Sequence, residues 1–309
     1  MARRQIGQED LIARQEPRAA SSLSEIAVLL DWMQIERALA GVSAAAKGEP
    51  GWPPLALFRA LLLATWHDLS DVRLAEALDD RASFCGFATH EPTPERTAFV
   101  RFRRELVRRE LDRTLFEEVT RQLKAKAVTV KTGTLIDAIL IASASHADSE
   151  AAWAGHQRRR AVHGVKAHVS ADADTALVEE LAVTSGNAHD GRAGGAALPE
   201  DPGEVYADSA YRGEVFGSAV RAKGGTPRIV ATGMWGRPGD DTARKLRRWN
   251  YEIQRVRCRI EKIFGTWKRS YGLRRMRWRG LAKAGLQVRL TAIACNLRRT
   301  LTLQQASIA

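Results

Sequence analysis

VTVKTGTLIDAILIASAS, residues 128–145, is where the texture of this chain changes. The run is rich in β-branched residues and reads as a strand. Working downstream, AVHGVKAHVSADADTALVEELAVT (161–184) reads as a hairpin turning at its ADAD. A Gly/Ala/Pro-rich crossover (185–203) leads to a short strand in EVYADSAY (204–211). RGEVFGSAVRAKGG (212–225) reads as a helix, TPRIVAT (226–232) as a strand and GMWGRPGDD (233–241) as a loop. The order β-β-β-(α)-β-α-β-α predicts a mixed sheet with helices on its faces.

Working upstream, residues 20–127 carry helical patterns. LSEIAVLLDWMQIERAL (23–39) has helical spacing, and Gly and Pro in residues 41–54 break it. Residues 53–80 read as two helices, the first opened by Pro53 and Pro54, the second capped by Ser70 or Asp71. Residues 90–127 continue as charged helix, with Thr93 as the expected N-cap and Pro94 at the first helical position. The reading is therefore an α/β chain: an all-helical N-terminal domain, residues 1–127, then an α/β domain over 128–309.

The 309 residues are 45% hydrophobic and 27% charged, which excludes a disordered or membrane-embedded composition. No apolar run reaches the roughly 18 residues of a membrane span, and no secretory h-region is present. Cys85, Cys258 and Cys295 are far apart, which argues against a structural zinc site and fits reduced thiols in a cytoplasm.

The net charge of +12 is concentrated at the C-terminal end. Residues 244–299 hold 18 Lys and Arg against two acids, Glu252 and Glu261, so the rest of the chain is mildly acidic. Such a basic face points to a polyanion, most simply DNA or RNA. The competing reading, a solvated helix, would interleave both signs. RKLRRWNYEIQRVRCRIEKIFGTWK (244–268) reads as one long helix in which Arg257, Glu261 and Lys268 fall on roughly one face.

Two other acids stand out. Asp137 interrupts the apolar run TLIDAILIA, where an unpaired carboxylate would be costly; the alternative is a strand-edge Asp facing solvent. Asp208 ends the strand of VYADSAY, where open α/β sheets form their ligand crevices; the alternative is an N-cap of the RGEVFGSAV helix. Carboxylates on a strand, a strand end and a helix suit Mg²⁺, and two such ions roughly 4 Å apart can drive phosphodiester cleavage.

With these residues in place, the chain resembles bacterial insertion-sequence transposases of the IS5 type, within the DDE transposases. That family's C-terminal signature is Tyr-x2-Arg-x3-Glu-x6-Lys. Arg257, Glu261 and Lys268 match its last three positions, and Gln254 stands where the family has Tyr. TLIDA around Asp137, VYADSAYRG around Asp208 and Asn187–His189–Asp190 also resemble family strings. So do RGLAKAG (279–285), TAIACNLRR (291–299), residues 53–87 and TPERTAFVRFR (93–103), and the likeness spans roughly residues 45–300.

The resemblance implies an RNase H-like catalytic domain. It implies Asp137, Asp208 and Glu261 as catalytic ligands of Mg²⁺ or Mn²⁺, two ions in all. Arg257 and Lys268 would then contact the transposon end. The expected partners are terminal inverted repeats and target DNA, and the expected assembly is a homodimer that joins two ends. The expected location is cytoplasmic and nucleoid-associated.

From the residues themselves, Arg274, Arg275, Arg277 and Arg279 are expected on phosphates. Lys166 and His168 share a strand face that could line the channel. Trp267 is expected in the core near Phe264. Trp278 is the expected stacking partner of a flipped base. Asp190 is expected to cap a helix. The N-terminal helices of residues 1–127, those of 70–105 above all, either read the terminal repeat at the DNA end or form a dimerisation or packing domain. Two other function classes compete: a DNA-binding protein without catalysis, and an RNase H-like nuclease.

Overall fold

Hydrophobic spacing and local caps account for the helical first third of the molecule. The computed structural model describes residues 22–42, 51–88, 93–126, 131–156, 159–233 and 239–308. Before the first strand it has α1 (Ser22–Ala27), α2 (Trp32–Leu39), α3 (Pro54–Trp66), α4 (Asp71–Asp80), α5 (Ala82–Ala88), α6 (Arg96–Arg108) and α7 (Leu111–Lys126). Asp31 caps α2 through Met33 N, and Ser70 caps α4 through Arg73 N. The expected Thr93 cap of α6 is not formed. Glu95 occupies that position without a side-chain cap, and the Thr93 hydroxyl donates to Asp79 instead. The helix expected across 90–127 breaks at Glu110, whose φ of 54° is left-handed. Residues 20–21, 43–50, 89–92, 127–130 and 234–238 of the expected elements lie outside the described residues.

The remainder forms β1 (Gly133–Ala142), β2 (Ala152–His156), β3 (Arg159–Asp172), β4 (Val178–Ser185), α8 (Asp190–Ala193), β5 (Glu204–Ala207), α9 (Glu214–Ala222), β6 (Thr226–Ile229), α10 (Asp240–Ser270) and α11 (Leu281–Ile308). The main path of the sheet is β2-β3-β1-β5-β6, with β4 also on β3. β3 runs antiparallel to β1, β2 and β4, while β5 is parallel to β1 and β6 to β5. Apart from β2, every described strand is one that the sequence predicts. β2 was missed because AWAGH is short and small-residued. The mixed sheet, flanked by helices and preceded by a helical region, is the expected RNase H-like arrangement.

β1 is central and therefore apolar on both faces. Leu135, Ile139 and Ile141 join the larger core with Ile260, Ile263 and Trp267 of α10. Ile136 turns the other way, onto Phe216 and Val220 of α9. β1 and β3 approach so closely at Gly164 that a Cβ there would run into the Ile141 carbonyl.

α11 explains how the two parts join. It is apolar around much of its circumference, as a buried helix must be. It packs against α3, α6 and α7 on one side and β4 on the other. Trp66 Nε1 donates to the Ala294 carbonyl at 2.9 Å, and the buried Asn296 amide satisfies both backbone groups of Val178 at 2.8 Å. One apolar cluster consequently runs from Leu23 to Leu297.

Candidate active site

The parallel register between β1 and β5 sets the geometry. The ladder pairs Leu135 with Tyr206, and Asp137 and Asp208 each follow two residues later. Both acids thus lie where β5 ends and β1 continues with β3 as its remaining neighbour, the crevice expected of such sheets.

Asp137 is half-buried on the α10 face of β1. One of its oxygens accepts from Ala138 N at 2.8 Å. The other accepts from Arg257 Nη2 at 2.7 Å, across a pair with only 16% and 15% side-chain exposure. Burial pushes the Asp137 carboxyl above its ordinary range. Arg257 opposes that shift, and the like charge of Asp208 adds to it. Arg257 is itself held above its ordinary value against burial, because Asp137, Asp208 and Glu261 all surround it. Its Nε is buried and makes no hydrogen bond.

Asp208 is not the N-cap of α9, where Gly213 stands. Its Oδ1 caps the 3-10 turn Ser209–Tyr211 by accepting from Ala210 N at 2.8 Å, and its charge is still felt by Asp137 and Arg257. The fully buried Tyr211 hydroxyl has no hydrogen-bond partner. Burial, with the charges of Asp137, Asp190 and Asp208, raises its pKa well above the usual phenol range. Nothing in the spacing of the sequence had singled out Tyr211.

Glu261 departs from the tidy triad. Its side chain is 63% exposed, and its Oε1 lies 3.7 Å from Arg257 Nη1. Arg257 thus bridges Asp137 and Glu261. The donor set fits a hard divalent cation: carboxylates only, with Asp137 and Asp208 sharing unfavourable like charge that one guanidinium partly offsets. Asp137 and Asp208 would hold it first. Among the described residues, no three acidic, His or Cys groups stand close enough to hold a metal ion. Glu261 would have to turn inward to join them.

The other expected contacts divide. Lys268 is exposed on α10, and Arg274, Arg275 and Arg279 are exposed just beyond that helix. Arg274 Nε donates to the Lys268 carbonyl, and Arg275 Nε to the Ser143 carbonyl, each at 3.0 Å. Arg277 instead ties the tail to the helical part, donating to the Leu69 carbonyl and the Asp68 carboxylate. Lys166 lies three residues from the level of Asp137 in the β1–β3 register, so it projects from the opposite face. There it pairs with Asp190 and the Ala188 carbonyl, both at 2.8 Å. His168 shares that second face, fully buried. His189, not Asp190, is the N-cap of α8.

Trp267 is in the core, with Phe264 at 5.9 Å. Trp278 is not open for stacking on the face that Arg103 covers: the Arg103 guanidinium lies 4.4 Å above its ring and is itself pinned to Asp71 at 2.6 and 2.7 Å. No described helix is long and apolar enough to cross a membrane.

Residues 129–297 match the family model described as Transposase DDE domain. Residues 10–105 match a second one, described as Transposase domain (DUF772).

Proposed function

The chain belongs to the DDE transposases, and on that premise we propose that it is an IS5-type insertion-sequence enzyme that binds terminal inverted repeats, cuts DNA with Mg²⁺ or Mn²⁺, and transfers the freed strand. The observation that carries this reading is the placement of Asp137 and Asp208 at the β1–β5 crevice, with Arg257 of the basic helix α10 bonded to Asp137 and within reach of the charge of Asp208. In this reading residues 128–309 are the catalytic unit, and residues 1–127 bind the ends or mediate dimerisation.

Asp137, Asp208 and Glu261 are the ligand set, and a divalent cation held there supplies the Lewis acidity that phosphodiester cleavage needs. The protein's own contribution is positioning. Water attacks the phosphodiester at the transposon end, and the resulting 3′-OH then attacks a target phosphodiester, each step displacing one 3′ oxygen. Lys268, Arg274, Arg275 and Arg279 offer exposed cations to phosphates along the same edge. Arg257 joins them by exchanging its carboxylate partners for a phosphate. DNA in the cell is the substrate, so a nucleoid-associated homodimer in the bacterial cytoplasm is the expected working form.

The test is cleavage of a duplex carrying the element's own end. Asp137→Ala, Asp208→Ala and Glu261→Ala should each abolish divalent-dependent nicking while leaving duplex affinity within a few-fold of wild type. Nicking retained by Glu261→Ala would remove it from the ligand set. One observation favours a DNA binder without catalysis: Glu261 stands in solvent and Arg257 occupies Asp137. That alternative predicts end binding but no nicking by the unaltered chain with either metal.

A further inference from the structure

Trp153 is 59% exposed although it sits in a strand. A large aromatic ring that its surroundings hold in place in water offers a π-face on which a base can stack. Trp153 is held in this way. Trp153 pairs directly across from His163, ring centroids 5.4 Å apart at 64°. The exposed His146 closes the cluster, 5.4 Å from Trp153 and 5.6 Å from His163. His163 is buried beneath them and fixed by the Ser143 hydroxyl, 2.8 Å from Nδ1.

The same short loop holds cations. Ser143 Oγ donates to the Ser145 carbonyl at 3.0 Å, and Ser145 Oγ accepts from Arg279 Nη2 at 3.1 Å. Arg275 reaches the Ser143 and Ala144 carbonyls at 3.0 and 2.9 Å. The loop that sets His146 against the exposed ring thus also holds two exposed guanidinium groups.

The cluster also faces the crevice side of the sheet. Val169 is the cross-strand partner of Asp137, and His163 precedes it by an even number of residues, so both side chains leave the same face. Ser143 N bonds to the His163 carbonyl, which puts Trp153 level with Ser143. That is about 20 Å along β1 from Asp137 at roughly 3.3 Å per residue. The same span covers about six base steps of a DNA strand at roughly 3.4 Å each.

We propose that Trp153, with His146 and His163 behind it, is a stacking platform for an unpaired DNA base about six steps from the phosphodiester held at Asp137 and Asp208. The inference rests on the DNA-transposase reading above. An aromatic ring takes any base by its π-face, and the adjacent arginines take the flanking phosphates. A protein partner would leave those cations without an opposite charge.

The 309-residue chain is titrated into two labelled duplexes identical except for a short central bubble containing 2-aminopurine. The wild type should bind the bubbled duplex more tightly and quench its 2-aminopurine. Trp153→Ala and Trp153→Leu should abolish quenching and lower bubble affinity by about tenfold, within the range expected for one stacked base. Paired-duplex affinity, which rests on phosphate contacts, should hold, and Trp153→Phe should retain both signals. The proposal is overturned if Trp153→Ala or Trp153→Leu keeps quenching and preference. It also fails alone if wild type binds the paired duplex but shows no preference for the bubble. Binding of neither duplex would overturn it together with the transposase reading.

Discussion

Asp137 is an acid in the middle of an apolar strand, and its partner explains why the strand tolerates it. Removing Arg257 leaves a half-buried carboxylate beside Asp208 with no counter-charge. Arg257→Met should therefore cost about 3 kcal/mol in thermal or denaturant unfolding. Asp137→Asn in the same chain should recover much of that loss, because a neutral amide needs no cation. His168 offers a pH test on the other face of the sheet. Burial lowers its pKa to about 4, Asp190 opposing and Lys166 assisting, while its Nε2 stays 3.0 Å from the Thr184 hydroxyl. Above pH 6.5 neither the folded nor the unfolded state binds this proton. Between pH 6.5 and 4 the unfolded state binds it first, so stability falls as pH falls, by about 3 kcal/mol in total. His168→Gln should flatten that part of the stability–pH curve, measured by urea unfolding at each pH.

At the scale of elements, α10 does two jobs with one sequence. Ile253, Ile260, Ile263 and Trp267 form its buried stripe, and the cations occupy the rest. This division was legible from the spacing of RKLRRWNYEIQRVRCRIEKIFGTWK, as was the membership of Arg257 and Glu261 on neighbouring turns. Their opposite fates were not legible, because a hundred degrees per residue leaves both near the rim of the buried stripe. Packing against β1 draws the guanidinium inward and leaves the carboxylate in water. The tail behaves in the same way: Arg274, Arg275, Arg277 and Arg279 look alike in sequence, yet Arg277 is used to hold Asp68. Lys268→Ala and Arg274→Ala should each lower the slope of log affinity against log salt by about 0.9 for duplex DNA. Arg277→Ala should leave that slope unchanged and cost about 1 kcal/mol of stability. Titrations at several salt concentrations, with melting curves, separate the two outcomes.

At the scale of the molecule, α11 is the element on which both parts depend. It lies between the helices and β4, with Asn296 closing two backbone bonds to Val178 inside the core. Asn296→Ala leaves a buried donor and acceptor unpaired and should cost about 2–4 kcal/mol. A chain ending at Gly280 should lose cooperative unfolding in its helical and sheet parts alike, followed by circular dichroism and tryptophan fluorescence. If the helical part still melted cooperatively by itself, it would be an independent folding unit.

The amino-acid sequence alone determined the change from helix to mixed sheet near residue 128, nearly all the strands and the basic C-terminal helix. It also singled out the three acids worth watching. These are local matters: periodicity, β-branching, turn residues and charge are written residue by residue. Tertiary structure decided which of those side chains meet. It set Asp137 beside Asp208 through the parallel register of β1 and β5, turned Lys166 to the opposite face, covered one face of Trp278 with Arg103, and left Trp153 in the open. Each outcome depends on elements distant in sequence, and no local pattern encodes the register or the face on which they come together.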